Sequence, residues 1–252
     1  MHSKIVTIVI PVYKVNLSLT EQISLKQCIK LLDDFDIVFV HPESLDVSII
    51  NFDGRISSEK FPDHYFKSVF GYNRLMLTAS FYERFSHSKF ILIYQLDAYV
   101  FRDELLYWCS KNYDYIGAPW ISTPNKGIKK VLSIFNSKKK KGRSEIFNKV
   151  GNGGFSLRKV STHIANAKKL KSVIEQNLNR SEDDFRIMED VFWSSVPKID
   201  PSFLIPDYKE GLKFAFDRKP KLALKLNNNK LPFGCHGFEK PKVKMFWSKM
   251  IP

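Results

Sequence analysis

A chain of 252 residues, 44% hydrophobic and 14% aromatic, can bury a substantial core, as one large domain or two intimately packed halves. Forty Lys and Arg against 26 Asp and Glu leave a net charge of +14, which draws the protein toward nucleic acid, an anionic membrane surface or a phosphorylated substrate. No run approaches the ~20 apolar residues that cross a bilayer, and Cys28, Cys109 and Cys235 show no CxxC spacing, so helical spans and a zinc framework are excluded.

The β-branched run Ile5-Val6-Thr7-Ile8-Val9-Ile10, ended by Pro11, predicts a first strand. It is short, has no small-residue cleavage site and runs straight into Val12 and Tyr13, so it reads as a strand of a cytosolic protein rather than a signal peptide. Residues 17–32 place Ile23, Leu25, Cys28, Ile29 and Leu32 on one helical face. Residues 36–42 give a second strand, and strand, helix, strand with short connections begins a doubly wound α/β sheet. A short edge strand is expected near residues 47–52. Residues 72–85 carry Leu77, Phe81 and Phe85 at i, i+4, i+8, an apolar surface wide enough for a buried helix.

The segment Phe90-Ile91-Leu92-Ile93-Tyr94 has no polar alternation and reads as an inner strand covered on both faces. Asp97 stands where this strand runs out into the crevice in which such sheets bind ligands, which marks it for a cation or a phosphate; a strand-end turn is the plain alternative. Residues 103–110 predict a short helix capped by Asp103, and residues 113–120 turn a strand into a loop.

Residues 126–149 then hold nine Lys or Arg and one Glu, either a solvated mobile loop or one that meets phosphates or anionic lipid. Within them Val131-Leu132 and Ile134-Phe135 suit a short amphipathic helix. The turn Gly151-Asn152-Gly153-Gly154 lets backbone approach a ligand closely. Residues 161–178 return to helix. Glu189 and Asp190 are flanked by large apolar groups, which raises a carboxyl pKa and suits a general base, although acids also gather at helix N-termini. Residues 205–216 read as a strand and a short helix, residues 227–230 as a loop, and His236 as the exposed centre of a glycine-flanked turn.

Tyr94-Gln95-Leu96-Asp97, Gly117-Ala118-Pro119-Trp120, Gly151-Asn152-Gly153-Gly154-Phe155-Ser156-Leu157-Arg158, Glu189-Asp190-Val191-Phe192-Trp193 and Pro232-Phe233-Gly234-Cys235-His236 follow one another in this chain. In that order the chain resembles the GT-A-fold glycosyltransferases, most closely a bacterial glycosyltransferase-like family with these motifs, over about residues 5–238. The Gly-Gly turn followed by Glu-Asp-Val is also similar to the eukaryotic β-1,3-glycosyltransferase and Fringe-type enzymes, which invert the sugar.

The resemblance implies a Rossmann-like, mixed and mostly parallel sheet flanked by helices. It implies one domain, with residues 1–120 as the nucleotide-binding half, 150–240 as the acceptor and catalytic half and 125–149 as a flexible basic loop. Asp190 or Glu189 would be the base. Tyr94, Asp97, Asn73, Arg74 and Arg158 would bind the nucleotide-sugar donor, and Trp120, Asn152, Gly153, Gly154 and Trp193 the sugar and acceptor. Asp97 and His236 would hold Mn²⁺ or Mg²⁺ in the same cleft as Gly153 and Asp190. Gln95 and Tyr99 stand where a second Asp-x-Asp carboxylate belongs, which leaves that shell incomplete. Arg158 and the lysines of residues 138–143 would then share in neutralising the diphosphate.

The implied activity is transfer of a sugar to a glycan or lipid-linked glycan in bacterial surface polysaccharide or lipopolysaccharide synthesis, at the inner face of an anionic membrane. Two rival readings are a nucleic-acid-binding protein, with tight salt-sensitive binding and no use for Glu189 and Asp190, and a catalytically inactive glycan-binding relative.

Overall fold

The computed structural model describes residues 5–50, 56–122, 144–181 and 184–252. Most of the basic segment, and its expected mobility and amphipathic helix, therefore lie outside the described residues. Three apolar runs lay down the centre as parallel strands: β1 (Val6–Pro11), β2 (Asp36–Pro42) and, beyond an edge strand β3 (Ile56–Phe61), β4 (Phe90–Tyr94). With β6 (Tyr115–Gly117) and β7 (Phe155–Lys159) they form a sheet in the order β3-β2-β1-β4-β7-β6, in which β7 runs antiparallel to both its neighbours.

Register sets Ile37, Ile8, Leu92, Leu157 and Ile116 in one buried row across five strands. Burying each such side chain contributes about 1.5–3 kcal/mol. Every residue of β4 is buried between β1 and β7, as its sequence predicts.

The flanking helices begin with α1 (Leu19–Leu31), which starts at a capping box between Ser18 and Glu21. The single helix expected over residues 72–85 is two, α2 (Val69–Leu75) and α3 (Ala79–Glu83). Thr78 ends the first and caps the second by accepting the Phe81 N–H, a local bond that competes with helix continuation. Helix α4 (Leu105–Ser110) follows, with Asp103 accepting the Leu105 N–H. The helix expected over residues 161–178 likewise breaks at Leu170 into α5 (Val160–Lys169) and α6 (Lys171–Leu178).

The edge strand expected near residues 47–52 is instead a 3₁₀ turn at Val47–Ile49, and the strand lies at Ile56–Phe61. Its Ser57, Ser58 and Lys60 face solvent, so it carries little apolar signal.

After α7 (Glu189–Ser195) the predicted order of strand and helix is reversed: α8 (Tyr208–Phe214), capped by Asp207, precedes the two-residue strand β8 (Ala215–Phe216). This strand belongs to a second sheet, β5-β9-β8, made with β5 (Ala98–Val100) and β9 (Gly234–His236). Helices α9 (Pro220–Leu226) and α10 (Pro241–Trp247) cover it, and Phe216, Cys235, Phe238, Val243 and Trp247 form a separate small core. The three cysteines are buried and free. No helix among the described residues is long and apolar enough to cross a membrane.

Candidate active site

The sheet order steps outward from β1 on one side and β4 on the other, so the crevice opens beyond their carboxyl ends. There the chain leaves β4 in a tight turn. Gln95 N–H donates to the Gly154 carbonyl at 2.8 Å, and the Asp97 carbonyl accepts from Gly237 and Phe238 N–H at 2.8 and 3.2 Å. Asp97 is thus tied to both sheets. A cavity of about 540 Å³ lies beside it, lined by Tyr13 and Lys14 from the end of β1, by Tyr72 of α2 and by Gln95 and Asp97.

Ala98 faces His236 in the β5–β9 pair, and Phe216 faces Cys235 in the β8–β9 pair. That register strings three charged groups into a row. His236 Nε2 lies 3.0 Å from Asp97 Oδ1 and 3.2 Å from Gln95 Oε1, while its Nδ1 lies 3.6 Å from Asp217 Oδ1 and 2.9 Å from the Asn152 amide. Burial works against charge on the ring, but the nearby Asp217 carboxylate and the hydrogen bond and charge of Asp97 outweigh it and lift its pKa to about 9. Burial would likewise raise the Asp97 carboxyl, yet His236 and Lys240, 3.6 Å away, hold it below its ordinary value. The exposed His236 expected from the sequence is therefore corrected: it is a buried residue at the end of β9, and only Gly237, at φ +65°, makes the turn.

The glycine turn makes close contacts of its own. A Cβ on Gly153 would sit 1.8 Å from Glu189 Oε1, and one on Gly154 would sit 2.1 Å from His236 Nε2. What these glycines let approach is the protein's own side chains. Asn152 takes the left-handed conformation at φ 64°.

Glu189 and Asp190 open α7 side by side in opposite circumstances. Glu189 is buried, its N–H donates to Asn73 Oδ1 at 2.7 Å, and its carboxylate receives both Arg158 amino groups at 2.8 and 2.9 Å. Arg158, fully buried, also donates to Tyr82, Ser156 and the Gly153 carbonyl. The carboxylate of Glu189 is committed to that ion pair. Asp190 is half-buried beside Gly153, and burial first and the Glu189 charge second lift its pKa to about 6. It lines a second cavity of about 380 Å³ with Trp120, Ile146, Phe147, Met188 and Asp217.

The structure thus brings Asp97, His236, Asn152 and Gly154 into contact, whereas Asp190 lines the second cavity with Asp217 and with Trp120, whose ring lies against Gly151, so the one cleft expected for Asp97, Gly153, Asp190 and His236 is two neighbouring cavities. Others named from the sequence are elsewhere. Tyr94 is enclosed, its hydroxyl donating to the Ser24 and Ala98 carbonyls. Trp193 is enclosed with its indole N–H on the Met76 carbonyl, so its ring packs the core rather than a sugar. Arg158 is fully buried on Glu189 and lines neither cavity, and Asn73 caps α7. Arg74 is exposed and lines neither cavity.

Sequence reading missed Asp217, which a two-residue strand leaves without any periodic signal. It also missed Tyr13 and Lys14, although the rule that singled out Asp97 applies equally to the end of β1. A third cavity, of about 560 Å³ beside β2 and β3, shares no residue with this row.

Residues 55–236 match the model of a family described as "Protein of unknown function (DUF5672)". No curated protein matches the chain in sequence. Among solved structures, the galactosyltransferase LgtC in complex with donor and acceptor sugar analogues is 14% identical, with 91% of this chain and 86% of that one covered and a TM-score of 0.55. Mouse xyloside xylosyltransferase 1 in its apo form is 10% identical, with 91% and 96% covered and a TM-score of 0.54. The glycosyltransferase GlyE of Streptococcus pneumoniae TIGR4 is 10% identical, with 96% of this chain and 59% of that one covered and a TM-score of 0.51. At such identities the likeness is one of fold, and the fold is that of the GT-A glycosyltransferases.

Proposed function

We propose that this chain, which belongs to the DUF5672 family, transfers a sugar with inversion from a nucleotide-sugar donor to a hydroxyl of a glycan or lipid-linked glycan, in the synthesis of a bacterial surface polysaccharide. The observation that carries this reading is Asp190, a carboxyl poised at about 6 on a cavity wall and joined through Gly153, Gly154 and His236 to Asp97 at the switch point of the sheet.

The nucleotide sits against Tyr13 and Lys14 beyond β1 and β4, and the sugar projects past Gly154 toward the second cavity. Asp190, ionised above about pH 6, takes the proton of the acceptor hydroxyl as its oxygen bonds the anomeric carbon. The bond from that carbon to the diphosphate oxygen breaks with its electron pair, and attack from the opposite face inverts the centre. Lys14, Lys240 and the His236 imidazolium stand near the leaving charge.

His236 Nε2 lies 3.0 and 3.2 Å from Asp97 and Gln95 oxygens, a donor set of one imidazole nitrogen and two oxygens of the kind that Mg²⁺ or Mn²⁺ accepts. Those three residues would hold the ion, which when bound offsets charge on the diphosphate. Among the described residues no three His, Cys, Asp or Glu form such a group, and the His236 proton competes for the same nitrogen, so the hold is weak.

A thermal-shift screen of UDP-, GDP-, CMP- and dTDP-sugars with and without Mn²⁺ tests the donor, because a ligand that binds only the folded state raises Tm. One nucleotide should stand out and should be hydrolysed slowly without acceptor. No shift with any of them sinks the reading; binding without hydrolysis or transfer would leave an inactive relative.

A further inference from the structure

The small sheet carries a surface that the transfer chemistry does not use. Residues 218–252 hold nine Lys or Arg against one Glu, a large part of the net charge of +14. In α10, Val243 and Trp247 face inward, and Trp247 stacks on Phe101 at 5.6 Å. A helical spacing of 3.6 residues then turns Met245 directly outward, with exposed Lys242 and Lys244 on either side of it and exposed Lys249 just past the helix end at Trp247. Met245 is 79% exposed, the most of any large apolar side chain among the described residues. Helix α9 packs against α10 and adds exposed Lys221 and Lys225 beside Leu226, itself 44% exposed.

Exposed apolar side chains on two basic helices are matched by one environment in particular, a bilayer face with anionic headgroups above acyl chains. The lysines meet the headgroups and Met245 and Leu226 enter below them. We propose that the outer faces of α9 and α10 dock this protein on an anionic lipid membrane. Helix α10 follows directly on Glu239, which lines the 540 Å³ cavity, and Lys240, which pairs with Asp97. Docking there holds the cleft at the membrane surface. The proposal stands on surface residues alone and does not depend on the reaction carried out above them.

The test is co-sedimentation of the full chain with vesicles of phosphatidylglycerol mixed into phosphatidylcholine, against vesicles of phosphatidylcholine alone. The full chain should bind the mixed vesicles only, and less as salt rises. Each lysine at the surface contributes roughly fivefold to partitioning, so Lys242→Ser, Lys244→Ser and Lys249→Ser together should lower binding roughly a hundredfold in low salt. Met245→Ser should weaken it by a factor that changes little with salt. All four positions are exposed, and unchanged melting of the variants checks that the fold is intact.

Full binding by the triple lysine variant overturns the proposal. So does loss of binding only when Lys138 to Lys141 are replaced by serines, which puts the contact elsewhere. Equal binding to phosphatidylcholine overturns it too, as does tighter binding to duplex DNA or RNA than to the vesicles with the same lysine dependence.

Discussion

The two sheets of this molecule are built differently. In the large sheet five strands align a buried apolar row from Ile37 to Ile116, and its parallel runs carry enough apolar surface to pair on their own account. The small sheet has strands of two or three residues, which cannot hold themselves, and depends on the Phe216, Phe238 and Trp247 core behind it. Yet the small sheet presents Asp97, His236 and Asp217 in a row. The apolar row and the row of candidate site residues sit in different layers, which meet under Gly153, where Arg158 of β7 grips Glu189 of α7 while Asp190 faces the cavity.

The sharpest division is between those neighbouring acids. Asp190→Asn should lower transfer by ~10²–10⁴-fold while nucleotide-sugar binding survives, because a missing base is felt in the transition state. Steady-state kinetics beside calorimetric donor binding reads this out. Loss of transfer in Glu189→Gln with unchanged melting, and none in Asp190→Asn, would give the base to the neighbour and erase the distinction between the layers.

Next in size is the scaffold itself. Removing one partner of a buried ion pair leaves the other charge uncompensated, so Glu189→Gln should cost about 3–5 kcal/mol of stability, measured by urea denaturation. Arg158→Met should cost a similar amount from the other side. A loss under about 1 kcal/mol, the worth of an exposed pair, would show that this junction is not what joins the layers.

What could be read from the sequence follows the same division. Strand β4 was legible because both its faces are apolar, and the rule for parallel sheets pointed to Asp97 beyond its end, which lines a cavity. Strand β7 was not, because Ser156 and Arg158 are polar yet buried, their needs met by Gly153, Tyr82 and Glu189 across distances no local pattern records. Trp193 and Tyr94 looked like ligand platforms and are core, since an aromatic beside a motif packs wherever the fold has room. Asp217 depends on which strand pairs with β9, a register that two residues cannot announce.

A smaller effect probes the turn that both layers share. Gly154→Ala would put a methyl 2.1 Å from His236 Nε2 and 2.5 Å from Gln95 Oε1, so the His236 ring must shift. Overpacking of this kind costs about 1–3 kcal/mol, and here it should also weaken donor binding through the displaced Asp97–His236 contact. Donor affinity equal to that of the unaltered protein would show that this row takes no part in binding.

Asp190 itself should give the smallest and most diagnostic change. Its carboxyl is lifted from 3.8 to about 6, so the folded chain holds this proton more tightly than the unfolded chain does. Between about pH 4 and pH 6 the folded state keeps a proton that the unfolded state has released, and stability therefore falls as pH rises through that window. Above it both states are ionised and the penalty is constant. Water at the open side of Asp190 screens the effect to the order of 1 kcal/mol, or ~2–4 °C in Tm. Asp190→Asn should remove the slope, melting level with the unaltered protein near pH 4 and above it near pH 8, while the unaltered protein's transfer rate climbs through about pH 6 and levels off. Scanning calorimetry across that range decides the matter. A variant that melts lower near pH 8 would mean that Asp190 supports the fold, and that the chemistry and the scaffold are one layer after all.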